Sequence, residues 1–241
     1  MYESLFQIES YTIIENLLGK SPKLIINSNP TDYQLDSLSC LGYNNDNLIK
    51  CSGNRTIVNQ LVVPSMRRVK FDLNEIIFPS AIKWLRRAVF SYLENYSPNE
   101  EFNQRLFISR QDTYGRKIIN MDEVNNMLVK HDFSIYCLEK MSFFDQVSLF
   151  KNAKSIIGAH GAGLANIIFS SNANVLEIFG KTPDHYSEYF RLSNMLKLNY
   201  AYMFTDYDSS NYKNSNIKNY DENDLIIDIN RFRTYINRLI N

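Results

Sequence analysis

Two arginines, a histidine set among glycines and an acid inside an apolar run are the residues here whose types and spacing could do chemistry. Residues 155–179 read SIIGAHGAGLANIIFSSNANVLEIF. A short apolar run ends at Gly158. His160, Gly161, Ala162 and Gly163 then precede the apolar LANIIF, and Glu177 interrupts a second apolar run, NVLEIF. A turn of small residues between a strand and a helix lets an anion approach the backbone. The first free amides of the helix, with the positive end of its dipole, receive it. His160 at the mouth of the turn adds a hydrogen bond or a partial charge. Glycine turns at such junctions also serve as packing devices, and GAHGAG is neither the Walker loop nor the dinucleotide fingerprint.

Arg110 and Arg116 flank a second polar turn, in SRQDTYGRKIIN. Either alone reads as a surface arginine. Two in one loop, facing a glycine turn on the same rim, are better explained jointly as a diphosphate site, because guanidinium groups chelate phosphate oxygens. Glu177 has two readings: an edge residue facing solvent, or an acceptor for ribose hydroxyls at the carboxyl end of a strand. Gln146 reads as structural, bridging a helix and a loop, and Asn120 as the cap of the helix at Asp122. His131 and His185 lack metal-ligand spacing and read as surface residues. Asp206 and Asp208 are the nearest approach to an Asp-x-Asp metal motif, but they stand in an irregular late region. No nucleophile constellation is present.

The elements that must position these residues follow from periodicity. Apolar spacing predicts a helix over 4–18, a strand at 23–26, a helix over 32–41 stopped by Gly42, strands at 47–51 and 56–63, a basic turn at 65–68 and a helix over 78–94. The segment NYSPNEE at 95–101 is the best linker. Beyond it strands at 105–109 and 135–138 alternate with helices at 122–130 and 142–152. The glycine motif follows, then a helix near 186–196, a strand at 199–204, and a strand and helix closing the chain. The domains are thus 1–97 and 98–241. Such alternation implies an α/β fold of right-handed βαβ units with a mostly parallel sheet covered on both faces. Ligands of such sheets bind outside the carboxyl ends of the strands, which puts Arg110, the glycine turn and Glu177 on one rim.

Composition narrows the function classes. Lys plus Arg and Asp plus Glu both number 26, so no net basic charge argues for nucleic acid or an anionic membrane. Three scattered cysteines, Cys40, Cys51 and Cys137, fit a reducing compartment better than a disulfide framework or zinc site. The start of the chain carries Glu3, Glu9 and Glu15, unlike a signal peptide. No run approaches the roughly 20 apolar residues that span a bilayer. A cytoplasmic protein with at most peripheral membrane contact is expected.

FISRQDTYGRKIIN, MSFFDQVSLFKNAKSIIGAHGAGLANIIF and NVLEIF, in this order and spacing, resemble the glycosyltransferase family 61 domain. LSCLGY, LVVPS and IKWLRR resemble the pieces that precede them, so the likeness covers most of residues 23–205. The resemblance implies two Rossmann-like halves of GT-B type, the first small and short at its N-terminus. It implies an inverting, metal-independent glycosyltransferase with no cofactor. A UDP-sugar would be the donor in the second half, and a glycan or glycoprotein the acceptor on the first. Arg110, Arg116, His160, Gly161, Ala162 and Gly163 would contact the diphosphate and Glu177 the ribose, with His160 the one residue assigned to catalysis. A non-catalytic nucleotide-sugar-binding partner and a nucleotide-sugar epimerase are the alternatives.

Overall fold

The computed structural model describes residues 2–51, 57–64, 69–71, 74–76, 78–98, 100–111, 115–180, 187–207 and 224–240. The chain forms two compact units, Met1–Ser97 with Ser142–Phe144, and Pro98–Met141 with Asp145–Asn241.

In the first unit, helices α1 (Tyr2–Ile8) and α2 (Tyr11–Leu18) precede strand β1 (Leu24–Asn27). Helix α3 (Asp32–Ser39) leads to β2 (Leu48–Cys51), which pairs with β1 in parallel. Strands β3 (Val69–Phe71) and β4 (Asn74–Ile76) pair antiparallel, and α4 (Pro79–Tyr92) follows. A capping box starts α3: Thr31 Oγ1 accepts from Gln34 N, and Gln34 Oε1 accepts from Thr31 N. Pro79 opens α4, which buries Ala81, Ile82, Leu85 and Val89 on one stripe. Leu5, Ile26, Leu38, Tyr43 and Val62 are among the residues lining a cavity of about 1170 Å³ in this unit.

Two expectations fail here. The helix expected over 4–18 is two helices, because Ser10 N returns to Gln7 O while Ser10 O starts a new ladder with Ile14 N. The strand expected at 56–63 is irregular over 57–63, and Ile57, Leu61 and Val63 are exposed. Apolar composition makes a strand only where another strand takes its backbone groups. The basic turn at 65–68 lies outside the described residues.

The second unit contains strands β5 (Arg105–Ile108), β6 (Ser134–Tyr136), β7 (Ser155–Ala159), β8 (Asn174–Phe179) and β9 (Asn199–Phe204). They form one sheet, entirely parallel, in the order β6-β5-β7-β8-β9. Helix α5 (Met121–Lys130) joins β5 to β6, α6 (Phe143–Asn152) precedes β7, and α7 (Glu188–Leu196) joins β8 to β9. A short antiparallel pair, β10 (Asp206–Tyr207) and β11 (Leu225–Ile226), leads to α8 (Ile229–Ile240). Every residue of β7 is buried, and all but the first of β8, as continuous apolar runs covered on both faces require. One face packs Phe107, Ile157, Leu176 and Ile178 against Val124 and Leu128 of α5 and Phe232 and Ile236 of α8.

This order places the second strand of the unit on one side of the first and the remaining three on the other. The reversal falls between β5 and β7, so the crevice at their carboxyl ends is the topological switch point at which such sheets take ligands. The helix expected after the glycine turn is a 3₁₀ helix, Ala162–Phe169. It rises about 2.0 Å per residue against 1.5 Å for an α-helix, so the same residues reach further along the sheet.

Candidate anion-binding site at the strand switch point

Arg110 follows β5 and Gly161 follows β7, two neighbouring parallel strands. Gly161 has an extended backbone, so its type is dictated by space. A Cβ there would lie 1.8 Å from Arg110 Nη1 and 2.8 Å from Cζ. The guanidinium therefore lies directly against the bare backbone of the turn. Burial, and then the nearby charge of Arg116, push Arg110 below the usual arginine value, while Glu139 and Tyr189 pull it back up. Two cations share one partly buried corner, and a multivalent anion would relieve their repulsion.

Arg116 is held in the left-handed region, with φ 56°, directly after Gly115 at φ 73°. A non-glycine residue there costs on the order of 1–3 kcal/mol, supplied by its surroundings. Those surroundings are specific. Lys117 N donates to Asp224 Oδ1 at 2.9 Å, Leu225 N to Lys117 O at 2.7 Å and Ile119 N to Leu225 O at 3.0 Å. Gln111 Nε2 closes the loop on Ile118 O at 2.9 Å. Arg116 Nε is buried and has no acceptor among the described residues.

His160 N donates to Ile178 O at 2.8 Å, which fixes the backbone beside β8. Its Nδ1 lies 2.5 Å from Glu177 Oε1, and Tyr200 Oη donates to Glu177 Oε2 at 2.5 Å. A carboxylate only accepts, so Nδ1 carries the hydrogen of this contact. Phe179 stacks on the imidazole at 5.2 Å and 20°, which holds its plane. Burial and the charge of Glu177 raise the Tyr189 and Tyr200 phenols above the usual tyrosine value, keeping both protonated as donors. Glu177 is 1% exposed on a strand paired on both sides, which rules out the solvent-facing edge reading. Each of its oxygens takes a protein partner, His160 on one and Tyr200 on the other.

The turn itself is clamped. Gly161 O accepts from Tyr189 Oη at 2.7 Å and from Leu164 N at 3.0 Å. In a helix beginning at Ala162, the amides of Ala162 and Gly163 have no partner within the helix. Gly163 seats it closely: a Cβ would meet Leu138 Cδ1 at 3.1 Å and Ile108 Cγ2 at 3.3 Å. Gln146 bridges as expected, donating to Leu138 O at 2.8 Å and Met141 O at 3.2 Å while accepting from buried Asn166 at 3.1 Å. Asn120 departs from expectation. Its side chain makes no cap bond, and instead pairs with both backbone groups of Ile227, at 2.8 and 2.9 Å. His185 and Asp208 lie outside the described residues.

The structure thus brings Arg110, Arg116, Gly161, His160 and, behind them, Glu177 into one cluster. Tyr189, Tyr200 and Glu188 join it unannounced by any motif. Their signal in the sequence was only position, on the helix and strand that follow β8. Among the described residues no group of three or more His, Cys, Asp or Glu side chains is arranged to hold a metal ion. No described helix is long and apolar enough to cross a membrane.

The chain is 28% identical to an EGF domain-specific O-linked N-acetylglucosamine transferase of Drosophila melanogaster, over 58% of this chain and 29% of that protein. It therefore spans less than a third of that relative's length. The family model described as Glycosyltransferase 61 matches residues 22–176, a span that holds β5, β7 and the whole glycine turn. With more than half of its length matched, the chain belongs to the glycosyltransferase 61 family.

Proposed function

We propose that the second unit binds the nucleoside diphosphate part of a nucleotide sugar, a UDP-sugar, and that the chain transfers the sugar to a hydroxyl of a glycan or glycoprotein with inversion. The observation that carries this reading is Arg110 lying on the bare backbone of Gly161, a cation and a set of helix-start amides at the switch point of a parallel sheet. The first unit is the acceptor side of a GT-B arrangement. The related Drosophila protein is described as an N-acetylglucosamine transferase, which makes UDP-N-acetylglucosamine the first donor to test.

In an inverting transfer a base takes the proton of the acceptor hydroxyl as its oxygen attacks the anomeric carbon, the bond to the phosphate oxygen breaks, and negative charge grows on the departing diphosphate. Arg110 and Arg116 neutralise that charge, the amides of Ala162 and Gly163 donate to it, and His160 stands beside it at the mouth of the turn. Glu177 fixes the imidazole through Nδ1 and Tyr200 fixes Glu177. These groups do the electrostatic work for which other transferases use a divalent cation, so turnover in EDTA is expected.

The test is acceptor-dependent UDP release from a panel of nucleotide sugars in EDTA, with the glycosylated acceptor identified by mass. Transfer supports the reading. Tight binding without transfer would leave a nucleotide-sugar-binding partner protein, and conversion of the donor without any acceptor would point to an epimerase.

A further inference from the structure

The nucleotide site makes no use of the cavity of about 1170 Å³ in the first unit. That volume exceeds the roughly 300–1,000 Å³ of a pocket for a drug-sized ligand. Its lining is mostly apolar. Ile8, Leu24 and Leu38 belong to it, and so do Ile57, Leu61 and Val63, which are 96%, 61% and 74% exposed. Large aliphatic side chains left bare along an apolar cavity mark a place where a ligand is received. Tyr43 also lines the cavity. It is 5% exposed, and its hydroxyl is buried with no hydrogen-bond partner among the described residues. Native proteins rarely leave such a group unmet. Burial, and then the nearby Tyr11 and Glu15, raise this phenol above the usual tyrosine value, so it keeps its proton and has one hydrogen to give.

Charge narrows what could enter. Among the described residues lining the cavity, Lys20 and Lys23 carry charge and no acid does. Tyr43 lies at their end. Its ring meets Tyr11 edge-on at 5.3 Å, and Tyr11 Oη donates at 2.8 Å to the carbonyl of Pro22, which stands between the two lysines in the chain. Glu15, outside the lining, accepts from Ser21 Oγ, so one of its oxygens is engaged. A fitting ligand is therefore apolar over most of its length and anionic at one end, where two cations and a neutral donor suit a group with several charged oxygens. A peptide would bring backbone amides and carbonyls into a mostly apolar space; a hydrocarbon chain brings none. We propose that the cavity takes the hydrocarbon chain of a lipid phosphate, whose headgroup rests on Lys20, Lys23 and Tyr43 Oη. This site goes beyond the nucleotide-sugar reading and stands without it.

The test is calorimetric titration of the whole chain with octyl, decyl and dodecyl phosphate below their micelle concentrations, with decyltrimethylammonium, and with inorganic phosphate. Each added methylene should tighten binding by about fourfold. Decyl phosphate should bind more tightly than the ammonium of equal length, and inorganic phosphate should not register. Tyr43→Phe should bind decyl phosphate about tenfold more weakly, with no fall in the Tm of the unliganded protein, since the lost hydroxyl has no partner in the fold. Lys20→Gln combined with Lys23→Gln should weaken it about fivefold and narrow the gap to the ammonium. Leu61→Ser, at an exposed position, should weaken it without unfolding the chain. Binding that ignores chain length or headgroup sign, or full wild-type affinity in both Tyr43→Phe and the lysine pair, overturns the inference. So does a dimer in sedimentation that Leu61→Ser breaks and no alkyl phosphate enters, because a second copy then fills the cavity. UDP titrated into the same samples reads the other unit, so the two readings stand or fall separately.

Discussion

Replacing Gly161 with alanine isolates the contact on which the site depends. The backbone there is extended, so alanine adds no conformational strain and the effect is local. The new Cβ would lie 1.8 Å from Arg110 Nη1 and 2.8 Å from Cζ, well inside contact distance, so the guanidinium must leave the turn. Because it is the far end of a flexible side chain, the fold gives way cheaply, and the melting temperature should move by little. Ligand affinity should behave as though Arg110 had been removed. A charge-assisted hydrogen-bond contact is worth about 1.5–3 kcal/mol, or roughly a 10- to 150-fold rise in Kd. Calorimetric titration of UDP into wild type, Gly161→Ala, Arg110→Ala and the double variant makes a cycle. If the methyl acts only by evicting Arg110, the double variant should bind like Arg110→Ala. Wild-type affinity in Gly161→Ala, or full additivity in the double variant, would refute the reasoning.

Three further outcomes follow from the same geometry. Tyr200→Phe removes the donor to buried Glu177 Oε2 and should cost about 1–3 kcal/mol in urea unfolding, whereas Tyr202→Phe, at an exposed position of the same strand, should stay within about 0.5 kcal/mol; equal effects would deny the buried pair. Arg116→Gly relieves a left-handed residue and deletes a buried unpartnered Nε, so stability should hold or rise by up to about 1 kcal/mol while UDP binding weakens; a large loss of stability would show that the loop is held by the side chain. The phenols of Tyr43, Tyr189 and Tyr200 are raised above the usual value, chiefly by burial. Above about pH 10 the unfolded chain releases tyrosine protons that the folded chain keeps, so unfolding gains and stability falls with rising pH, having been flat with respect to these groups below that value. A urea midpoint unchanged from pH 9 to 11 would contradict it.

Much of the second unit was legible because buried parallel strands are written as uninterrupted apolar runs. Residues 199–204 were read as a strand from pattern alone and form β9 with those bounds. Arg110 and the glycine turn could be placed at strand ends without knowing the strand order, since every strand of a parallel sheet ends on the same rim. What the pattern could not carry was pairing at a distance. The Asn120 clamp on Ile227 and the Lys117–Asp224 bond join residues 107 apart, and nothing local marks them. Tyr189 and Tyr200 look like any aromatic residues of a helix and a strand until the fold sets their hydroxyls on Gly161 and Glu177. Periodicity also says nothing about tightness of winding, so AGLANIIF reads equally as α or 3₁₀. Nor does it say whether an apolar run has a partner strand, which is why residues 57–63 were misread.

Thermal stabilisation by nucleotides, compared between wild type and Arg110→Ala, tests the central claim most directly. Ligand at 100 times its dissociation constant adds about 2.7 kcal/mol of stability, an easily measured rise in Tm. UDP should raise the Tm of wild type in EDTA, GDP, CMP and ADP should do so less, and a 10- to 150-fold weaker Kd should cut the stabilisation in Arg110→Ala to about half or less. No rise with any of the four, or an equal rise in the variant, would mean that the switch point between β5 and β7 is not where a nucleoside diphosphate binds.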